Sequence, residues 1–134
     1  EARRFSQQLR RARRDAAEHD LPGSLAFVEL PADSEKLQKL LVESQRGLDL
    51  QVLVPRANGG EGLLVLMPLT DQDGSRGYRQ RLDRMVQERF EEASTLEELG
   101  VVIHNFEIRQ HQSDSALADF LYKECGLNDQ QVAF

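Results

Sequence analysis

Cysteine is nearly absent from this sequence: Cys125 is the only one among 134 residues, so no disulfide can form within the chain. Long apolar runs are missing as well, and no stretch approaches the ~18–20 residues that a membrane span needs. No signal-peptide pattern opens the chain, and because it begins at Glu1 rather than Met we expect a piece of a longer protein. The length fits one domain with its own core, and a single cysteine is consistent with a reducing compartment.

The usual signs of metal or nucleophilic chemistry are also missing. The histidines, His19, His104 and His111, are scattered, and no pair of them has the spacing of a metal site. His104 alternates with Ile103 in a predicted strand, so a structural role is expected for it. No Ser-His-Asp or Cys-His arrangement can be inferred from spacing. We therefore predict no catalytic residues and no metal.

The charge is negative overall but unevenly distributed. A net charge of -6 argues against a nucleic-acid polymer as partner, because binding phosphates along a polymer needs a cationic field. Six arginines nevertheless lie within the first fourteen residues. They are Arg3, Arg4, Arg10, Arg11, Arg13 and Arg14. A small anionic ligand needs only a local group of arginines, so this class of ligand remains open.

Residues 2–19 contain no turn residues and carry apolar side chains at helical spacing. These are Phe5, Leu9, Ala12 and Ala16. The pattern predicts an amphipathic helix, which we interpret as a linker helix from an upstream domain. Its basic side suggests a solvated face, which we favour, or a patch for a membrane surface or RNA.

The remaining pattern predicts alternating strands and helices. Strands are predicted over residues 25–30, 48–54, 63–67 and 101–108, with a short final strand at 132–134. Helices are predicted from an N-cap at Asp33 or Ser34 to near Gln45, over residues 78–90, and from Ser113 or Asp114 to Gly126. Residues 70–74 are predicted to be a loop. This order favours an α+β fold in which helices pack on a sheet.

Three motifs follow one another along this framework. Arg46-Gly47-Leu48-Asp49 lies where a predicted helix gives way to a strand. About ten residues later, a glycine-rich turn at residues 58–62 leads into an apolar strand that ends at Pro68. The last helix carries Leu121, Tyr122, Lys123, Gly126 and Asn128. In this order the set resembles the GGDEF domain, the diguanylate cyclase family, from residue 25 to the C-terminus. The resemblance implies an α+β fold with a central, mostly antiparallel sheet flanked by helices.

Two departures from the family pattern bear on catalysis. An active cyclase needs acidic residues at the end of the first strand and in the hairpin, where they hold metal ions on a nucleoside triphosphate. Here the first strand ends Val28-Glu29-Leu30-Pro31 without the family's Asp-x-Asp run, and Gly62 takes the position of the metal-binding glutamate. The segment between the first predicted strand and Arg46 is also too short for the two helices that hold the guanine base in the family. We therefore expect a degenerate domain without cyclase activity.

The family's inhibitory site, which binds cyclic di-GMP, is by contrast present at Arg46, Gly47, Leu48 and Asp49. The resemblance implies a further arginine from the helix after the hairpin, and Arg81 fits by position. Arg46 can donate a bidentate pair of hydrogen bonds to a phosphate or a guanine O6/N7 edge, and Asp49 can accept from guanine N1 and the exocyclic amine. The alternative is a surface salt bridge between Arg46 and Asp49 at a helix end. The family context favours ligand binding.

Within the family, the chain is most similar to the receptor domain of a bacterial exopolysaccharide machinery. The resemblance implies a non-catalytic cyclic di-GMP receptor that regulates exopolysaccharide synthesis and biofilm formation, without a further cofactor. It implies synthesis-complex proteins of the inner membrane as partners and a position at that membrane's cytoplasmic face. It also implies a linker helix over residues 1–22, from an upstream domain of the GAF type, and the GGDEF domain over residues 23–134. The alternatives are another degenerate GGDEF receptor, such as that of cellulose secretion, a protein-binding scaffold without ligand, or an active cyclase.

Overall fold

The computed structural model of the chain describes residues 2–57, 59–91 and 95–134. Its helices are α1 (Ala2–His19), α2 (Glu35–Glu43), α3 (Gln72–Arg89) and α4 (Asp114–Ala118). Its strands are β1 (Gly23–Leu30), β2 (Leu50–Pro55), β3 (Glu61–Pro68) and β4 (Val102–Ile108). Wider, π-type turns continue α4 over Asp119–Glu124, and a short 3-10 turn, Glu97–Leu99, precedes β4. The predicted order of helices and strands is confirmed.

The four strands form one antiparallel sheet in the order β2-β3-β1-β4. The expected α+β fold with an antiparallel sheet is therefore confirmed. Strand β1 lies between β3 and β4, and its Glu29 is opposite Gly62 on one side and Val102 on the other. Central strands β1 and β3 are buried along most of their length, which explains their nearly continuous apolar sequences.

Helices cover both faces of the sheet, so two hydrophobic cores form. On one face, α1 and α4 pack against Leu25, Phe27 and Leu64. On the other face, α2 and α3 pack against Val28, Val65 and their neighbours. Because side chains alternate along a strand, consecutive residues of β1 supply the two cores in turn.

Helix α1 forms as predicted, and its apolar side is part of the first core. Phe5 and Leu9 are fully buried there, and Ala16 is 1% exposed. Most of its arginines face solvent, as a solvated helix face requires. Arg13 instead donates a hydrogen bond to Asp114 at 2.5 Å, which connects α1 with α4. The division of the chain at residue 22 stays a prediction, because α1 packs against the sheet that follows it.

The sequence predictions for residues 70–74 and 132–134 are wrong. Residues 70–74 are not wholly a loop, because the Asp71 side chain accepts a hydrogen bond from Gly74 N at 2.9 Å and starts α3 at Gln72. The final strand at residues 132–134 does not form, and the sheet of the described residues has four strands. Val132 N instead donates to Asn128 O in a turn, and the Val132 side chain is buried in the first core. Within the described residues, no helix has both the length and the apolarity required to cross a membrane.

Candidate functional site

The Arg46-Gly47-Leu48-Asp49 segment forms a tight turn between α2 and β2. Asp49 N donates to Arg46 O at 2.9 Å, and Arg46 N donates to the Asp49 carboxylate at 3.2 Å. The Gln45 side chain closes the turn by donating to Asp49 O at 2.8 Å. Leu48 and Asp49 therefore precede β2, although the sequence predicted that the strand starts at residue 48. The four residues of the motif therefore form a hydrogen-bonded turn, and this turn presents their side chains.

The turn projects its side chains into solvent. Leu48 is 67% exposed, and Arg46 and Gly47 are exposed as well. Within residues 2–57, 59–91 and 95–134, the Arg46 guanidinium has neither a hydrogen bond nor an ion pair. Its charge and its donors are therefore available to a ligand. The expected alternative, a salt bridge between the Arg46 and Asp49 side chains, is not formed; their contact runs through the Arg46 backbone N–H.

Arg81 reaches the same turn from α3. Its Nη2 atom donates to Ser44 O at 3.1 Å, two residues before Arg46 in the chain. The guanidinium carbon lies 5.3 Å from the centre of the Tyr78 ring, a cation–π distance. Tyr78 and Leu82 are buried on either side of Arg81 in the sequence, so packing of α3 fixes where the arginine emerges.

The electrostatics show that Arg46, Asp49 and Arg81 lie close enough to affect one another. Burial lowers the pKa of Arg81, and the neighbouring positive charge of Arg46 lowers it further, while Asp49 opposes this effect. Two arginines thus lie near one carboxylate. Such a site has an excess positive charge that an anionic ligand would neutralise.

Two polar atoms beneath this site have no hydrogen-bond partner among the described residues: the Tyr78 hydroxyl and Arg81 Nε. Burial raises the pKa of Tyr78 to about 12. Ser44 lies near the Tyr78 hydroxyl and opposes this rise in the pKa. The Ser44 hydroxyl donates instead to Leu41 O at 2.5 Å, and it does not reach hydrogen-bond geometry with the Tyr78 hydroxyl. The Tyr78 ring therefore serves Arg81 mainly as a packing surface.

A second polar cluster lies at the opposite end of β1, beside the hairpin that resembles the GGDEF motif. Arg56 donates to Glu29 at 2.6 Å and to Cys125 O at 2.9 Å. His104 contacts the other Glu29 oxygen through Nε2, and its Nδ1 lies 3.0 Å from Glu124. The hydrogen bond with His104 lowers the pKa of Glu29 most, Arg56 adds to this, and burial opposes it. The Glu29 carboxylate is therefore already engaged by Arg56 and His104.

Gly62, opposite Glu29 in the sheet, has no space for a side chain. A Cβ atom at this position would lie 2.3 Å from Cζ of Phe27 and 2.7 Å from Val28 O. Among the residues that the structure describes, no three His, Cys, Asp or Glu side chains are grouped so as to hold a metal ion. A side chain at position 62 would therefore collide with the Phe27 ring, and the neighbouring Glu29 carboxylate is held by Arg56 and His104.

The structure brings together Arg46, Asp49 and Arg81, which the sequence analysis had selected, while Gly47 and Leu48 shape the turn between the first two. Their role in ligand binding stays a prediction. The sequence analysis missed Ser44 as the acceptor for Arg81 and Tyr78 as its support. It also missed the Arg56 cluster. The spacing of Tyr78 and Arg81, three residues apart on one helix, was the only signal in the sequence for these contacts.

The family model described as the PelD GGDEF domain matches residues 1–124. The chain belongs to the PelD GGDEF domain family. The receptor of the exopolysaccharide machinery that the sequence resembles is PelD, and this resemblance is confirmed. The comparison with curated proteins gave no match.

Solved PelD structures extend the match to the whole fold. PelD 156–455 from Pseudomonas aeruginosa PA14 in complex with c-di-GMP is 50% identical, with a TM-score of 0.94, over 99% of this chain and 48% of that chain. Its apo form is 49% identical, with a TM-score of 0.93, over 100% of this chain and 49% of that chain. PelD 158-CT from Pseudomonas aeruginosa PAO1 in complex with c-di-GMP is 50% identical, with a TM-score of 0.92, over 98% and 47%. The chain spans about half the length of these PelD fragments.

Proposed function

We propose that this chain is a non-catalytic receptor domain that binds cyclic di-GMP at Arg46, Gly47, Leu48, Asp49 and Arg81. The observation that carries the proposal is the convergence of two arginines and one aspartate on an exposed turn. PelD structures that match nearly the whole chain at 50% identity are complexes with c-di-GMP, which supports the same ligand here.

The chemistry of the site suits a guanine dinucleotide better than a simple phosphate. Arg46, whose guanidinium has no partner among the residues that the structure describes, can donate two parallel hydrogen bonds to a phosphate or to guanine O6 and N7. Asp49 would repel a bare phosphate, but its carboxylate can accept from guanine N1 and the exocyclic amine. Arg81, held by Ser44 O, adds positive charge without needing to be ordered on binding. Cyclic di-GMP supplies both the anionic phosphates and the guanine edges.

The absence of cyclase activity is part of the proposal. Gly62 supplies no oxygen ligand, and Glu29 is engaged by Arg56 and His104. These contacts support a degenerate site that does not form the dinucleotide from GTP. No cofactor beyond the ligand is proposed.

For the whole protein, we propose a role in regulating exopolysaccharide synthesis, and through it biofilm formation. The family match to PelD supports this role. The partners would be polysaccharide-synthesis proteins of the inner membrane, with this domain at the cytoplasmic face. The rival function is a scaffold that binds proteins without a nucleotide, and it predicts no response to cyclic di-GMP.

The test is isothermal titration of cyclic di-GMP into the domain, with GTP as the comparison ligand. We expect binding at micromolar concentration or tighter for the dinucleotide and none for GTP. Arg46→Ala and Asp49→Ala should each weaken binding by roughly 2–4 kcal/mol, because each leaves a polar ligand group without its partner. Arg81→Ala should cost less, and Arg84→Ala, an exposed arginine on the same helix, should change nothing.

Circular dichroism must show that each variant keeps the parent's fold before its binding is compared. Binding that survives Arg46→Ala unchanged would refute the site. No heat with either nucleotide would refute the receptor function and favour the scaffold. Conversion of GTP to product in the presence of magnesium would refute the absence of catalysis.

A further inference from the structure

The solvent face of α1 consists largely of arginine. Five of the six arginines on this helix are exposed, and within the described residues none of the five has a hydrogen bond or an ion pair. They are Arg3, Arg4, Arg10, Arg11 and Arg14. The sixth, Arg13, is engaged by Asp114 and lies 5.0 Å from the centre of the Phe134 ring. Like charges one turn apart destabilise a helix, so this grouping indicates a role outside the fold.

This arginine face is a positive region on an acidic protein. Helix α1 holds six of the 17 lysines and arginines, whereas the whole chain has 23 aspartates and glutamates. The only acidic residues of α1 are Asp15 and Glu18, which follow the arginines. A partner that complements this face therefore carries negative charge.

A groove of about 480 Å³ lies between this face and the C-terminal segment of the chain. Arg3, Gln7 and Arg10 line it from α1, and their spacing places them on one side of the helix. Gln130 and Gln131 line the opposite wall. Among the described residues that form the groove, none is acidic. Arginine and amide side chains therefore face one groove without a carboxylate between them.

Both walls of the groove are held in place by hydrogen bonds. Ala133 N donates to Ser6 Oγ at 3.3 Å, which joins the C-terminal segment to α1. Gln131 Nε2 donates to Pro55 O at 2.7 Å, which joins the same segment to the end of β2. The groove is therefore formed before a partner binds, and binding need not order it.

The shape and chemistry of the groove favour a polypeptide among the anionic partners. A flat bilayer surface does not enter a groove, and no described aromatic side chain lines it for a nucleic-acid base to stack on. The amides of Gln7 and Gln130 have no partners within the part of the chain that the structure describes, and they can pair with the backbone of an extended segment. Arg3 and Arg10 are about 10.5 Å apart along α1, and side chains two to four residues apart on an extended chain span about 7–13 Å.

We propose that this groove binds an acidic, extended segment of a partner protein. Arg3 and Arg10 donate paired hydrogen bonds to two of its carboxylates, while Gln7 and Gln130 pair with its backbone. The groove lies at the Pro55 end of β2, whereas the turn that carries the proposed nucleotide site precedes the other end of that strand. The inference is therefore independent of the proposed function.

The experiment titrates the chain into a labelled peptide in which glutamate alternates with serine and follows fluorescence anisotropy at physiological salt. Salt screens charges beyond about 8 Å, so direct contacts dominate. Arg3→Ala and Arg10→Ala should each weaken binding about fivefold, the upper end for an ion pair at a surface. Arg4→Ala and Arg11→Ala remove the same charge at the next residue, outside the groove, and should change the affinity less than about twofold.

Two further measurements separate hydrogen bonding from charge. Arg3→Lys keeps the charge but loses the planar fork of donors, so it should recover only part of the affinity. The same peptide with glutamine in place of glutamate should not bind. Circular dichroism should be unchanged in every variant, because all four arginines are exposed.

Four outcomes would overturn the inference. The acidic peptide does not bind, or all four alanine variants weaken binding equally, in which case the attraction belongs to the charge of the whole helix. Binding of phosphatidylglycerol vesicles or single-stranded RNA that Arg3→Ala abolishes, without binding of the peptide, would assign the groove to a membrane or to nucleic acid. A dimer in sedimentation that Arg3→Ala dissociates would assign the groove to a second copy of the chain.

Discussion

Introducing a side chain at residue 62 should destabilise the domain, because the Phe27 ring occupies the space that it would need. A Cβ atom there would lie 2.3 Å from Cζ and 2.7 Å from Cε1 of Phe27, and 2.7 Å from Val28 O. Real Cβ atoms do not approach other heavy atoms this closely, so something must move. The ring is fully buried and the carbonyl belongs to the central strand, so neither can move freely.

The size of the effect follows from the cost of overpacking a core. Inserting one carbon into a filled interior costs about 1–3 kcal/mol, and a clash with backbone as well as side chain favours the upper part of this range. We therefore expect Gly62→Ala to lower the free energy of unfolding by roughly 2–3 kcal/mol. For a domain of this size, that corresponds to a melting temperature lower by about 7–11 °C.

Urea unfolding followed by circular dichroism measures this difference. Gly47→Ala is the matched control, because no atom lies within 4 Å of its added Cβ and its φ is outside the left-handed region. The control should stay within about 0.5 kcal/mol of the parent or be slightly more stable. A Phe27→Leu change should recover part of the loss in the Gly62→Ala background.

The reasoning is wrong if Gly62→Ala is as stable as Gly47→Ala.

A related prediction concerns cyclase activity. Gly62→Glu returns the family's acidic residue type to the hairpin, but we expect it to destabilise the domain further and to yield no cyclase activity, because the neighbouring Glu29 carboxylate is already engaged by Arg56. Product from GTP and magnesium would contradict this explanation.

Three further predictions concern the two polar clusters. Arg56→Ala removes the hydrogen bonds to Glu29 and Cys125 O and should destabilise the domain by about 1–3 kcal/mol in urea unfolding. The control Arg4→Ala, at an exposed arginine, should not destabilise it. Equal stability of the two variants would show that the Arg56 cluster does not stabilise the fold. The pKa of Glu29 is lowered in the folded state, so this carboxylate contributes stability at neutral pH that is lost as the pH falls through the folded-state pKa. Glu29→Gln should therefore reduce the loss of stability between neutral and acid pH. An unaltered pH dependence would count against this. Tyr78→Phe removes a buried hydroxyl that has no hydrogen-bond partner among the described residues, so it should leave both stability and cyclic di-GMP affinity within about 1 kcal/mol of the parent. A tenfold loss of affinity by titration would mean that the hydroxyl contacts the ligand.

Local features of the site could be predicted from the sequence. Arg46 and Asp49 are three residues apart, so the backbone of one turn is enough to bring them together, and the motif implies its own geometry. Hydrophobic periodicity likewise predicted the helices and strands, because burial of one face imposes a period of 3.6 or 2 residues. The errors fell at residues 48–49, 70–74 and 132–134, because these segments are too short to show a period.

Only the tertiary structure decided which distant residues share a site. Arg81 meets Ser44 O across 37 residues because α2 and α3 pack on the same face of the sheet. Glu29 meets His104 across 75 residues because β4 pairs with β1, and no spacing rule connects them. The same holds for Gly62: its sequence position predicted that the family's acidic ligand is missing, but the Phe27 ring that excludes any side chain is visible only across the strand pair. Periodicity records which side of an element is buried, whereas the identity of the neighbour depends on how all elements pack together.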